Sequence, residues 1–106
     1  MTHEDIFGLP RHSFAWAPGT ALPEAGDIDR PGVFLIYQKD DLFSARPITS
    51  LREHLSVMFG WMVRSPRRVL SFESFAFLEC ADYMEARQKW IWILRNCKPI
   101  GQSGRG

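Results

Sequence analysis

One short apolar run constrains the fold of this chain more than any other segment. Residues 33–37 are β-branched, aliphatic or aromatic without a break, Pro31 and Gly32 precede them, and a charged turn at residues 39–41 follows. A run of this length between turn residues is typical of a buried strand. Leu42 to Ala45 has the pattern of a short returning strand that Pro47 ends, and the short connection predicts an antiparallel hairpin.

Two capping boxes mark the starts of two helices. In Ser50-Leu51-Arg52-Glu53 the serine oxygen and the glutamate can each satisfy an orphan amide of the first turn, and Asp82 with Glu85 repeats this arrangement. Helical spacing of apolar residues and the prolines that follow predict helices over about 51–63 and 82–96. The aromatic stretch at about 70–78 suits a strand that is buried on much of both faces.

The first 31 residues contain four of the seven prolines, and no helical or alternating pattern is visible among them. Their aromatic and aliphatic side chains are too numerous for a solvated tail. We therefore predict an irregular arm over residues 1–31, packed on an α+β domain over residues 32–102, with a flexible tail at 103–106. In this domain, residues 33–37 form the central strand of a three-stranded antiparallel sheet, and the two helices cover it.

Composition excludes several classes of protein. A chain of 106 residues that is 45% hydrophobic can bury one core, and a formal net charge of +1 makes neither nucleic acids nor membranes a default partner.

Neither Cys80 nor Cys97 has a second ligand at zinc-motif spacing, so we expect reduced thiols. No apolar run reaches the roughly 20 residues of a membrane span, and the N-terminus lacks a signal pattern. We expect a cytoplasmic protein without cofactor, metal or membrane partner.

Three local motifs follow one another in a familiar order. Gly32-Val33-Phe34 stands where a Gly-Ile-Tyr strand opening would stand, and Leu51-Arg52-Glu53-His54-Leu55 is similar to a Leu-x-x-Arg-Leu helix start. Glu85-Ala86 is similar to the start of a final helix, and Lys98-Pro99 is similar to the segment that follows such a helix. Counting forward from Glu85 and backward from Pro99 gives the same alignment of the residues between them. Over about residues 31–102 the chain thus resembles the GIY-YIG nuclease domain, which implies the same sheet between helices.

The resemblance also implies where a catalytic site would lie. In that family a tyrosine pair, an arginine and a metal-binding glutamate cleave phosphodiesters with an activated water and a divalent cation. The matching positions here hold Phe34 and Ser44 for the tyrosines, His54 for the arginine and Trp90 for the glutamate. Phenylalanine has no hydroxyl, and tryptophan cannot hold a cation. The resemblance therefore implies a degenerate member that has lost its catalysis and its metal site.

Other residues could rebuild a site, and each also has an ordinary structural interpretation. His54 is a candidate base or phosphate ligand, or else a partly exposed helix residue. Tyr37 could replace a tyrosine, but it falls on the opposite strand face from Phe34, which favours packing. A relocated metal site would use three carboxylates, which otherwise serve as a helix cap and as solvent-facing strand residues: Glu73, Glu79 and Glu85.

Basic and aromatic residues suggest a binding surface. Two clusters of cations lie near the ends of the two helices. Arg64, Arg67 and Arg68 follow the first, and Arg95, Lys98 and Arg105 lie at and beyond the end of the second. They form a basic patch if the two helix ends meet, and are solvated loop residues otherwise. Trp61 and Trp92 lie off the main apolar stripes, so each is either a contact anchor or buried beneath the arm.

These features favour a non-catalytic binding module for a protein or nucleoprotein partner, such as a regulator or inhibitor of a nucleic-acid-processing machine. Two alternatives stay open: a divergent, active endonuclease, and a nucleic-acid-binding protein without chemistry, whose affinity would fall steeply with salt.

Overall fold

The computed structural model describes residues 1–14, 28–64 and 72–103, without the side chains of 61–63 and 102–103. Within them, eight elements follow in chain order: α1 (His3–Phe7), β1 (His12–Ser13), β2 (Gly32–Gln38), β3 (Asp41–Ile48), α2 (Leu51–Arg64), β4 (Ser74–Glu79), α3 (Tyr83–Asn96) and α4 (Ile100–Ser103). In the described part of the chain, no helix is both long enough and apolar enough to cross a bilayer. The predicted α+β class is confirmed.

The four strands form one antiparallel sheet in the order β1-β4-β2-β3. Leu35 of β2 lies opposite Ala45 on one side and Ala76 on the other, so the predicted central strand and its two neighbours are confirmed. A register shift at Ile36/Tyr37 interrupts the pairing of β2 with β3 near the hairpin turn. Lys39 in that turn has a φ of 55°, which is left-handed backbone.

Two predictions about the sheet need correction. The sheet has four strands and not three, because His12 and Ser13 of the arm pair with Phe75 and Ser74 of β4. A two-residue strand is too short to produce an alternating pattern in the sequence. Pro47 does not end the returning strand: it pairs with Val33 inside β3, where a proline is tolerated because β3 is an edge strand of the described sheet.

The N-terminal arm is also more regular than predicted. It begins with helix α1, which has its own capping box: the Thr2 side chain accepts from the Asp5 amide, and the Asp5 side chain accepts from the Thr2 amide. Ile6 of this helix is fully buried, and so is Phe14 after β1. The described part of the arm is thus part of the core, while residues 15–27 lie outside the described residues.

Alternating side chains of β2 divide the core between the two faces of the sheet. One cluster contains Val33, Leu35 and Tyr37 and is covered by α1 and α3, whose main buried residues are Ile6, Ala86 and Ile93. The other cluster contains Phe34 and Phe75 and is covered by α2, with Leu51, Leu55 and the arm residue Phe14. The helices α2 and α3 therefore pack on opposite faces, and Phe34 and Tyr37 point to opposite sides as predicted.

Candidate functional site

Two of the residues at which the resemblance implied a lost catalytic site, Phe34 and Trp90, are packed in the core clusters. Phe34 is buried, with its ring stacked on Phe75 at 5.3 Å between centroids and 4.4 Å from the His54 imidazole. Trp90 is half-buried on the α3 side, and its indole N–H donates to the Ala45 carbonyl at 2.8 Å. Ser44, next to Ala45 in β3, lies opposite Ile36 in the register. Phe34 and Trp90 thus belong to the core clusters on opposite faces of the sheet.

His54 is the titratable member of this set, and it lines a groove. Burial, and secondly the nearby Arg46 guanidinium, lower the pKa of the imidazole from its ordinary value and so favour its neutral form. Within the described part of the chain its ring nitrogens have no hydrogen-bond partner. The groove has a volume of about 300 Å³ and lies between α2 and the first residue of α3; its walls include Pro47, Ile48, Glu53, Val57 and Tyr83.

The hydroxyl of Ser50, which also lines this groove, already makes two hydrogen bonds within the protein. Its oxygen donates to Asp29 at 2.6 Å and accepts from the Glu53 amide at 3.3 Å, so it serves as the cap of α2. A nucleophile would need a base within hydrogen-bond reach, and His54 has no such partner among the described residues. The described residues therefore do not form a nucleophile–base pair in the groove.

The other candidates for a rebuilt site also have structural roles. Tyr37 is fully buried, its hydroxyl donates to the Ile6 carbonyl at 3.0 Å, and the Arg11 guanidinium lies 4.1 Å from its ring centroid. Glu79 pairs with Arg30 at 3.2 Å. Glu85 pairs with Lys89 at 3.2 Å, and Glu73 is exposed. Among the residues that the structure describes, no three or more potential ligands form a metal-binding group.

Of the predicted binding residues, Arg64, Arg95 and Lys98 are exposed. Arg67, Arg68 and the Trp61 side chain lie outside the described part of the structure. Helix α2 starts beside Arg30, close to the first residue of β2. Strand β4, the next described strand of the chain, begins opposite Tyr37, close to the β2–β3 hairpin turn. Helix α2 therefore runs towards the hairpin end of the sheet. Helix α3 follows β4 back to that end, on the other face. Arg64 at the end of α2 and Arg95 near the end of α3 therefore lie towards the same end of the sheet, but on opposite faces.

Trp92 is not an exposed anchor. It is half-buried, packs against the core cluster beneath α3, and lies edge-on to His3 of α1 at 6.0 Å between centroids. Contact with the arm was one of the two alternatives that the sequence left open. The large apolar residues that α3 does expose are Met84 and Ile91.

Sequence reasoning missed a surface on α3, which we call the α3 outer face: Met84, Arg87, Ile91 and Arg95. Met84 is 64% exposed and Ile91 40% exposed, and both arginines are exposed as well. Their spacing of three, four and four residues places them on one side of a helix. The spacing was visible in the sequence, but the tryptophans on the other sides of this helix dominate its apolar pattern.

In comparisons with known proteins, no family model matches this chain, and no curated protein shows significant sequence similarity to it. Its function must therefore be inferred from its own residues.

Proposed function

We propose that this chain is a cytoplasmic, non-catalytic binding module that resembles the GIY-YIG domain and recognises a protein partner through the α3 outer face. The observation that supports this most is the exposure of Met84 and Ile91, which alternate along the helix with the exposed Arg87 and Arg95. Seven residues of helix separate these side chains by about 10 Å, so one partner surface can cover both. Large exposed apolar side chains at such a spacing indicate a contact surface, and Met and Arg are enriched in protein interfaces.

The structural roles of Phe34 and Trp90 support the proposed loss of catalysis. Phe34 is enclosed in an aromatic cluster, and the indole N–H of Trp90 is bonded to the backbone of β3. Neither side chain can activate a water or hold a cation. The lowered pKa of His54 favours its neutral form, and its ring packs on Phe34, so it is a poor substitute for the permanent positive charge that an arginine brings to a phosphodiester.

The mixture of side chains on the α3 outer face favours a protein over a nucleic acid. Nucleic-acid backbones are held by cations and hydrogen-bond donors. Met84 and Ile91 would gain little against phosphate, but they gain about 25 cal/mol for each Å² that a protein surface removes from water.

The test compares capture of the partner by two matched variants. A tagged chain carrying Met84→Ser and Ile91→Ser is expressed in the native cell beside the wild type, and co-purified proteins are quantified by mass spectrometry. The control is Val57→Ser, because Val57 is 57% exposed but lies on α2 and lines the groove. All three proteins should melt within a few degrees of one another, since the changed side chains are exposed.

We expect a partner that the wild type and Val57→Ser retain and that the double variant loses. Equal capture by the double variant would refute the proposal, and selective loss in Val57→Ser would move the site to the groove. Incubation of the purified chain with plasmid DNA and RNA, with magnesium or manganese, tests the lack of catalysis. Cleavage that His54→Ala abolishes would replace the binding module with a divergent nuclease.

A further inference from the structure

The charges of this chain are segregated along its sequence. All twelve Asp and Glu residues lie at or before position 85, whereas five of the thirteen Lys and Arg residues lie after it. Residues 86–106 therefore contain basic residues and no acidic side chain, although the formal net charge of the whole chain is only +1. Such asymmetry indicates a specific electrostatic partner more clearly than the net charge does.

The structure places three of these five cations on one side of α3 or just beyond it. Arg87 and Arg95 belong to the α3 outer face, and the exposed Lys98 follows α3. Within the described residues none of the three has a carboxylate within 4.0 Å, unlike four other cations of the chain: Arg11, Arg30, Arg52 and Lys89. The helix thus presents one guanidinium group on each side of Ile91, and neither is paired with a carboxylate of the described residues.

We infer that the partner surface covering the α3 outer face is acidic, with carboxylates opposite Arg87 and Arg95 and an apolar side chain against Ile91. This inference rests on the proposed function and specifies the partner's chemistry. A guanidinium covered by an apolar or basic surface would lose its hydration without compensation. A carboxylate compensates that loss with paired, charge-assisted hydrogen bonds, which match the planar guanidinium.

The spacing along α3 adds a geometric requirement. Arg87 and Arg95 are eight residues apart, which is about 12 Å along a helix, and Ile91 lies halfway between them. The partner must therefore offer two acidic groups about 12 Å apart with an apolar contact between them. Opposite charges arranged in this way also speed association, and this part of the rate falls as salt rises.

The test maps what touches the middle of this face. A photoreactive p-benzoylphenylalanine is placed at position 91 of the full chain, and a control chain carries it at position 56, because Ser56 is exposed on α2. After irradiation in the native cell, the crosslinked segment is sequenced by mass spectrometry. We expect a partner peptide with an excess of Asp and Glu, crosslinked from position 91 and not from position 56.

Charge variants at the two arginines provide the second readout. In the position 91 chain, Arg87→Glu with Arg95→Glu should lower the crosslinking yield about tenfold. Arg87→Lys with Arg95→Lys should lower it less, because the charge is retained while the paired hydrogen bonds of the guanidinium are lost. A circular dichroism melt checks that each variant is folded.

Each remaining outcome has a definite meaning. A crosslinked protein segment without acidic excess, or a yield that charge reversal leaves unchanged, would overturn the inference while the proposed function stands. A crosslink to nucleic acid would overturn both. A yield at position 91 no higher than at position 56 would also overturn the proposed function.

Discussion

Tyr37 links the arm to the sheet, and its hydroxyl gives the most quantitative prediction. The side chain is fully buried, the hydroxyl donates to the Ile6 carbonyl of α1 at 3.0 Å, and the Arg11 guanidinium lies over the ring. Burial raises the pKa of this phenol from 10.0 to about 12, although the charge of Arg11 acts in the opposite direction. Folding is therefore coupled to the protonation of Tyr37.

The sign and size of the effect follow from the two pKa values. Tyr37 ionises near pH 10 in the unfolded chain and only near pH 12 in the folded protein. Its contribution to stability is fully present below pH 10 and is lost as the pH rises through 12. With about 1.4 kcal/mol for each pKa unit, the loss amounts to about 3 kcal/mol. Tyr37→Phe should remove this loss, at a cost of about 1 kcal/mol at neutral pH for the missing hydrogen bond.

The assay uses the fact that the chain has two tyrosines. In Tyr83→Phe, Tyr37 is the sole phenol, so near-ultraviolet absorbance follows its ionisation directly. Urea unfolding at a series of pH values gives the free energy of unfolding of this variant and of Tyr37→Phe. A Tyr37 midpoint near pH 10 in the folded protein would refute the reasoning. So would equal alkaline losses of stability in the two variants.

Three further changes test other parts of the fold. Trp90→Ala removes packing against the core and the bond to Ala45, so urea unfolding should show a loss of about 3–5 kcal/mol. Gly60→Ala should raise stability by about 0.5–1 kcal/mol in thermal melts, because an added Cβ meets no atom within 4 Å in the middle of α2. The lowered pKa of His54 means that stability falls as pH drops through 6.5 towards its folded value, and His54→Gln should reduce that slope in urea melts.

The sequence predicts elements whose signals are local. The central strand, the hairpin and both main helices follow from short patterns, and the side chains of Ser50 and Asp82 do cap their helices. The strand β1 could not be predicted in this way, because two residues have no periodicity and their pairing with β4 depends on a distant segment. Pro47 was misjudged because edge position is a property of the whole sheet.

The same distinction applies to the candidate site. That Trp92 would be covered could not be read from α3 alone, because its neighbour His3 comes from the start of the chain. The exposure of Met84 and Ile91 likewise depends on α1 and the sheet occupying the other sides of the helix. Charge segregation, by contrast, is visible in the sequence without any structure. Counting the charged residues of each segment separately would have indicated the basic character of α3, which the net charge of the whole chain does not show.

Amide hydrogen exchange of the chain, free and bound to its captured partner, tests the central claim most directly. If the α3 outer face is the binding surface, exchange slows in α3, residues 83–96, while α2, residues 51–64, exchanges equally in both states. Slower exchange in α2 and around the groove, with α3 unchanged, would contradict the claim.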